Sequence, residues 1–113
     1  MAALTADLDL VFHALSDHHR RSMVERLSRG PASVKELAAP TALPLSSALK
    51  HLKVLEAGGM VFSEKTGRVR TYSLHPHSLE AIENWLALRK QSINDAFDRL
   101  ERLIDEEGTP EEN

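Results

Sequence analysis

Leu45-Ser46-Ser47-Ala48-Leu49-Lys50-His51-Leu52-Lys53-Val54-Leu55-Glu56-Ala57-Gly58-Gly59, residues 45–59, is the stretch on which the reading of this chain turns. Leu45, Ala48, Leu52 and Leu55 recur at the spacing that lines up one face of an α-helix, so they form its expected core face. Ser46, Ser47, Lys50, Lys53 and Val54 fall on the other side. Gly58-Gly59 stops the helix, and Thr41 to Pro44 reads as the turn that leads into it.

Working outward, Ser33 and Glu36 have the S-x-x-E spacing of a capping box, which predicts a short helix carrying Val34, Leu37 and Ala38, limited by Pro40. Upstream, a helix over about 18–29 turns Met23, Val24 and Leu27 inward and ends at Gly30-Pro31. Another spans about 6–15, with Leu8, Val11, Phe12 and Leu15 at helical spacing and Thr5 as N-cap; Ser16-Asp17 separates the two. Downstream, Val61-Phe62 and Val69-Arg70-Thr71-Tyr72 are strand-like, with Lys65-Thr66-Gly67-Arg68 as a hairpin tip. Pro76 suits the first turn of a last helix over about 77–106. That helix sets Leu79, Ile82, Leu86, Ile93, Leu100 and Leu103 on a near-heptad seam, with Phe97 and Ile104 beside it.

The expected fold is mainly α with a small β-hairpin: a winged helix-turn-helix of about five helices plus a two-stranded wing. Residues 1–106 form one DNA-binding and dimerisation domain, and 107–113 an acidic, disordered tail. The seam exceeds what one small domain can cover, so a homodimer is expected to bury it. With no cysteine there is neither a disulfide framework nor a thiolate metal site. The first ten residues do not resemble a signal peptide and no apolar run is long enough to cross a bilayer, so a cytoplasmic protein is expected.

A net charge of −3 looks wrong for a partner of DNA until it is divided along the chain. Residues 1–33 are balanced; residues 34–72 hold three acids against six bases; residues 73–113 hold ten acids against four bases. Screening confines each charge to roughly 10 Å at moderate salt, so the basic middle third is the expected DNA face. Two short helices joined by a turn and followed by a basic hairpin form a helix-turn-helix with a wing. The fourth helix is then the recognition helix. Small hydroxyls at Ser46 and Ser47 let its backbone enter the major groove, and Lys50 reaches a guanine edge or a phosphate. His51 and Lys53 lie on the same helix, and Lys65, Arg68 and Arg70 set the hairpin against the DNA backbone or minor groove.

The run Phe12-His13-Ala14-Leu15-Ser16-Asp17 with Arg20-Arg21 resembles the opening of ArsR-type bacterial repressors. So do Lys50-His51-Leu52-Lys53-Val54-Leu55-Glu56-Ala57-Gly58-Gly59-Met60-Val61 and Gly67-Arg68-Val69-Arg70-Thr71-Tyr72-Ser73-Leu74. The resemblance covers about residues 8–90, with the three motifs in order. It implies a dimeric winged-helix repressor whose first and last helices form the subunit interface. The interface residues are then Leu8, Val11 and Phe12 from the first helix and Leu86, Ile93, Phe97, Leu100, Leu103 and Ile104 from the last. Pro44 stands where the family often has a capping serine. Leu49 occupies a position that is often a DNA-contacting serine, and either touches a thymine methyl or turns toward the core. The cysteines of metal-sensing members are absent.

Other readings are weaker. Of six histidines, His77 with Glu80 and Glu83 comes nearest to a metal set, but the histidines are read as exposed or capping side chains, so no metal or cofactor is expected and the effector is left open. Trp85 and Phe97 are read as interface or core anchors rather than a pocket lining. No nucleophile–base pair or phosphate loop suggests an enzyme. The alternative function is a winged-helix protein-interaction module in which the wing charges are incidental.

Overall fold

The computed structural model describes residues 8–108. In chain order the elements are α1 (Leu8–Ala14), α2 (His18–Leu27), β1 (Ala32–Ser33), α3 (Val34–Ala38), a 3-10 turn (Ala39–Thr41), α4 (Leu45–Ala57), β2 (Val61–Thr66), β3 (Val69–Leu74) and α5 (Glu80–Gly108). The chain forms two compact units that part after Ala81, and each is taken by itself. Thr5 and residues 109–113 lie outside the described residues. Among the described residues no helix is long and apolar enough to cross a membrane.

Local chemistry sets the helix ends of the first unit. The Asp17 carboxylate accepts from the backbone N–H of His19 (2.7 Å) and Arg20 (3.2 Å), satisfying donors that the first turn of α2 leaves orphaned. The expected capping box is present: Ser33 N–H donates to Glu36 Oε1 at 2.8 Å and Glu36 N–H to Ser33 Oγ at 3.2 Å. The bond from Ser33 N–H holds the Glu36 carboxyl below its ordinary value. Pro44 caps α4 without a side-chain bond; its carbonyl accepts from Ser47 and Ala48 N–H, both at 3.0 Å.

The two glycines after α4 do different work. Gly59, at φ +74°, takes the left-handed position past the helix end. Its N–H reaches Glu56 O at 3.0 Å while Met60 N–H reaches Leu55 O at 2.9 Å, the paired bonds of a Schellman stop. Gly58 is instead required by packing: a Cβ there would lie 3.0 Å from both Ala14 Cβ and Leu10 O, so only glycine lets α4 approach α1 this closely.

The core of this unit gathers Val11 and Ala14 from α1, Met23 and Leu27 from α2, Leu37 and Ala38 from α3, Ala48, Leu52 and Leu55 from α4, and Met60, Val61 and Tyr72 near and on the sheet. Two assignments change. Val11, expected at the subunit interface, is 1% exposed; it packs inside its own protomer and has no surface left for a partner. Leu45, expected in the core, stands in the first turn of α4 and is 43% exposed. Val24 and Val34 are half-buried.

The expected two-stranded wing is present as β2 and β3, and a short third strand joins it in an antiparallel sheet of order β1-β3-β2. Ala32 pairs with Tyr72 and Ser33 with Thr71, so the connection between α2 and α3 becomes a strand when β3 supplies its edge. Between β2 and β3 the register closes at Thr66 opposite Val69, leaving Gly67-Arg68 as a two-residue turn. Gly67 has φ +62°, as the first central residue of a type II′ hairpin turn requires.

Helix α5, whose residues from Ile82 onward belong to the second unit, starts at Glu80 rather than near 77, because Pro76 to Leu79 form turns closed by Ser78 N–H to His75 O and Glu80 N–H to His77 O. It continues to Gly108, so Glu107 and Gly108 belong to the helix and not to a disordered tail. Its large apolar side chains are open: Leu86, Ile93, Phe97, Leu100, Leu103 and Ile104 are 45–61% exposed.

Candidate nucleic-acid interface

Ala48, Leu52 and Leu55 are fully buried, and this anchors α4 and fixes the face it turns outward. A turn of about 100° per residue then points Ser46, Lys50 and Lys53 away from the core, and all three are exposed, with Ser47 half-buried at the edge. Leu49 is 41% exposed, so of the two orientations open to it, it takes the outward one. With Leu45 four residues earlier, it adds an apolar flank to a face otherwise made of hydroxyls and ammonium groups.

His51 does not join that face. It lies three residues after Ala48, on the inner border of the helix, and is half-buried. Its Nδ1 is 3.1 Å from an η nitrogen of Arg20, and its ring centroid is 5.6 Å from that of His19. Its Nδ1 is thus engaged within the protomer.

Arg20 has a role that its place in the family-like run did not reveal. It is 8% exposed, and its guanidinium donates to Ala14 O at 2.8 Å, His13 O at 3.0 Å and Ser16 Oγ at 3.3 Å, as well as facing His51. Ala14 and His13 end α1; Arg20 donates to the Ala14 carbonyl and shares the His13 carbonyl with Ser16, whose N–H (3.1 Å) and Oγ (2.7 Å) also reach it. Nothing in the local pattern marks it, since a buried and an exposed arginine look alike in a helical segment. Asp17 lies in the same cluster. Partial desolvation alone would raise its carboxyl, but backbone N–H bonds from Arg20 and His19, with the charge of Arg20, outweigh this and hold it below the ordinary value.

The wing carries its bases near the tip. Lys65 sits directly opposite Arg70, and Arg68 is in the turn; all three are exposed. Like charges opposed across a ladder disfavour the pair, a cost that a polyanion would relieve. Arg70 is not wholly free: an η nitrogen donates to Ser63 Oγ at 2.9 Å, and Ser63 Oγ donates to Glu56 Oε2 at 3.4 Å. This chain ties the wing to α4 and leaves most of the guanidinium donors of Arg70 available. Beneath it, burial pushes the Tyr72 phenol above its usual value, Glu56 adds to the rise and Arg70 opposes it.

The remaining expected residues divide as follows. Leu8 is half-buried and Phe12 is 42% exposed on α1, while the α5 residues form their own open stripe. His77 Nδ1 and Glu80 Oε2 meet at 2.6 Å as an exposed pair; among the described residues no three histidine or acidic side chains converge, so Glu83 does not complete a ligand set with them.

A helix-turn-helix domain family model matches residues 15–62, which run from the end of α1 to β2. The HTH-type transcriptional regulator Rv2034 of Mycobacterium tuberculosis is 36% identical over 100 residues, spanning 88% of this chain and 91% of that protein. An ArsR family transcriptional regulator of known crystal structure is 42% identical, with a TM-score of 0.72 over 77% of this chain and 90% of its own. An ArsR-like transcriptional regulator from Rhodococcus sp. RHA1 is 26% identical, with a TM-score of 0.78 over 94% of this chain and 97% of its own. Taken with an outward basic face on α4 and a basic wing in one unit, these matches place the chain in the ArsR family of helix-turn-helix, DNA-binding transcriptional regulators.

Proposed function

We propose that this regulator is a homodimeric repressor of the cytoplasm, which occupies an inverted-repeat operator and acts by binding alone, without catalysing a reaction. The observation that carries the reading is the outward face of α4: two serines at its N-terminal end followed by Lys50 and Lys53, with the basic wing in the same unit. Serine hydroxyls and the Lys50 ammonium suit base edges, whereas Lys53, Lys65, Arg68 and Arg70 suit phosphates. Leu49 and Leu45 offer an apolar surface, and the apolar group that the major groove presents is the thymine methyl. The open apolar stripe of α5 is the surface that a second copy would cover, and exposed Phe12 is a further one on α1. A two-fold dimer sets its recognition helices about one duplex turn, ~34 Å, apart, which calls for an inverted repeat.

The test begins with selection of duplexes from a random library by the purified protein, followed by competition between the selected duplex and random DNA at one salt concentration. An inverted repeat is expected, and its occupancy over a promoter should lower transcription in vitro. Ser47→Ala and Lys50→Ala should each reduce preference for the repeat by about 1–3 kcal/mol. Replacing thymines of the repeat by deoxyuridine should weaken the wild type more than Leu49→Ala. Selection of no common sequence would move the protein toward the protein-interaction reading.

A further inference from the structure

Strand β3 runs past the end of its neighbour β1, and the backbone edge left bare there lines a cavity. In the β2–β3 hairpin the two-residue turn makes Thr66 and Val69 a hydrogen-bonded pair. Bonded pairs then alternate along the ladder as far as His75, whose N–H donates to Met60 O at 2.9 Å. Ser73 therefore points its N–H and C=O toward β2, whereas Tyr72 and Leu74 point theirs to the other side. On that side Tyr72 meets Ala32. The register puts Gly30 opposite Leu74, but the backbone groups of Gly30 are committed to the end of α2. Its N–H donates to Leu27 O at 3.1 Å, and its carbonyl accepts from an η nitrogen of Arg26 at 2.9 Å. At φ +143° it also turns the chain off the edge of β3. Half-buried Leu74 thus presents a donor and an acceptor side by side, with no partner among the described residues.

The cavity before this pair has a volume of about 450 Å³, within the range of small-molecule sites, and all of it belongs to the first unit. Leu27 and Pro31 give it apolar wall from the end of α2 and the connection that follows; Pro76 and Leu79 do so from the turns before α5. Ser73 and Ser78 add half-buried hydroxyls that make no side-chain hydrogen bond among the described residues. No carboxylate, ammonium or guanidinium lines the cavity, so a charged molecule entering it would lose water without gaining a counterion. What fits is an uncharged apolar body with an acceptor for Leu74 N–H and, beside it, a donor for Leu74 C=O. Carboxamides and lactams carry that pair.

We propose that this cavity is an effector site for a small uncharged molecule whose amide edge pairs with the Leu74 backbone, and that its occupancy alters operator binding. The second clause rests on the operator reading above. Strand β3 carries Arg70 near one end and ends on Leu74 at the other, and Pro76 to Leu79 are the turns from which α5 departs. A molecule held between Leu74 and those turns favours one arrangement of them, and by linkage it favours the DNA-binding state that shares that arrangement.

The probe is benzamide, and the control is acetophenone, which has the same shape and acceptor but no donor. Amide hydrogen exchange followed by NMR reads the site directly. In the protein alone the Leu74 amide should exchange faster than its ladder-bonded neighbour Ser73, and saturating benzamide should slow it. Acetophenone should bind about tenfold more weakly, as expected when one hydrogen bond is lost and an acceptor is left unpaired. Ser78→Phe, which fills the cavity, and Leu79→Asp, which puts a charge in its wall, should each abolish the protection with an unchanged circular dichroism spectrum. Saturating benzamide should change affinity for the selected duplex by about fivefold in the wild type, the lower end of usual coupling between sites, and leave both variants unaffected. A Leu74 amide already protected in the protein alone overturns the site, because another segment or a second copy then covers it. A Leu74 exchange rate unmoved by benzamide, or equal binding of benzamide and acetophenone, overturns it too. Benzamide that protects Leu74 without changing duplex affinity overturns the effector role and leaves α4 as the reader of DNA. Absence of any preferred duplex overturns the operator reading and the effector role with it, while the exchange measurement still decides the site.

Discussion

Helices α4 and α5 carry the same kind of apolar pattern and meet opposite fates. Ala48, Leu52 and Leu55 of α4 are fully buried, because α1, α2, α3 and β2 pack around that helix. Leu100 and Leu103 of α5 remain 50% and 53% exposed, because among the described residues their unit is one helix, which cannot cover its own face. Periodicity states which face of a helix must leave water. It does not state who covers it. In α4 the cover comes from the same chain, and the buried face fixes which residues point outward. In α5 the cover has to come from elsewhere, and a second copy is the occupant proposed above.

The largest effect should come from spoiling the uncovered face. Leu100→Asp with Leu103→Asp should yield monomers by sedimentation, and operator affinity should fall by about a hundredfold or more as the advantage of two linked half-sites is lost. An intact dimer would show that the stripe is covered within one chain, and the contrast between the two helices would collapse. Next in size is the covered face. Leu52→Ala should cost about 2–5 kcal/mol in denaturant unfolding, whatever the protein concentration, as expected for a cavity in a packed core. Ile93→Ala should instead make the unfolding midpoint more dependent on concentration. Equal and concentration-independent losses from both would remove the distinction.

A smaller change is expected at the wing. Converting Arg68 and Arg70 to alanine removes up to four phosphate contacts per dimer, so the slope of log affinity against log salt should become about 3–4 less steep. Operator and random DNA should weaken alike; a selective loss on the operator would mean that the wing reads sequence as α4 does. The smallest effect concerns Asp17, where Asp17→Ala should cost about 1 kcal/mol as a lost N-cap. Its folded carboxyl is held below the ordinary value, so the ionised form stabilises the fold. That contribution is complete above the unfolded value of about 3.9 and disappears as pH falls through the lower folded one. The deficit of the variant, followed by thermal unfolding, should therefore be present at neutral pH and vanish in acid.

Much of this molecule was legible in the sequence, and the legible parts share a property. The limits of α4, the Ser33–Glu36 capping box, the Gly59 stop and the turn at Gly67 each depend on groups within about five residues of one another. Backbone sterics and hydrogen bonding over that distance are nearly independent of the rest of the fold. The outward placement of Ser46, Lys50 and Lys53 followed for the same reason, since the helix period converts spacing into direction. What only the tertiary structure decided depends on neighbours far away in sequence. Val11 went into the core and Leu45 out of it according to which elements reached them, and Ala32–Ser33 became a strand because β3 offered an edge. His51 faces Arg20, 31 residues away, because the buried guanidinium of α2 needs acceptors and the imidazole on α4 is one it can reach.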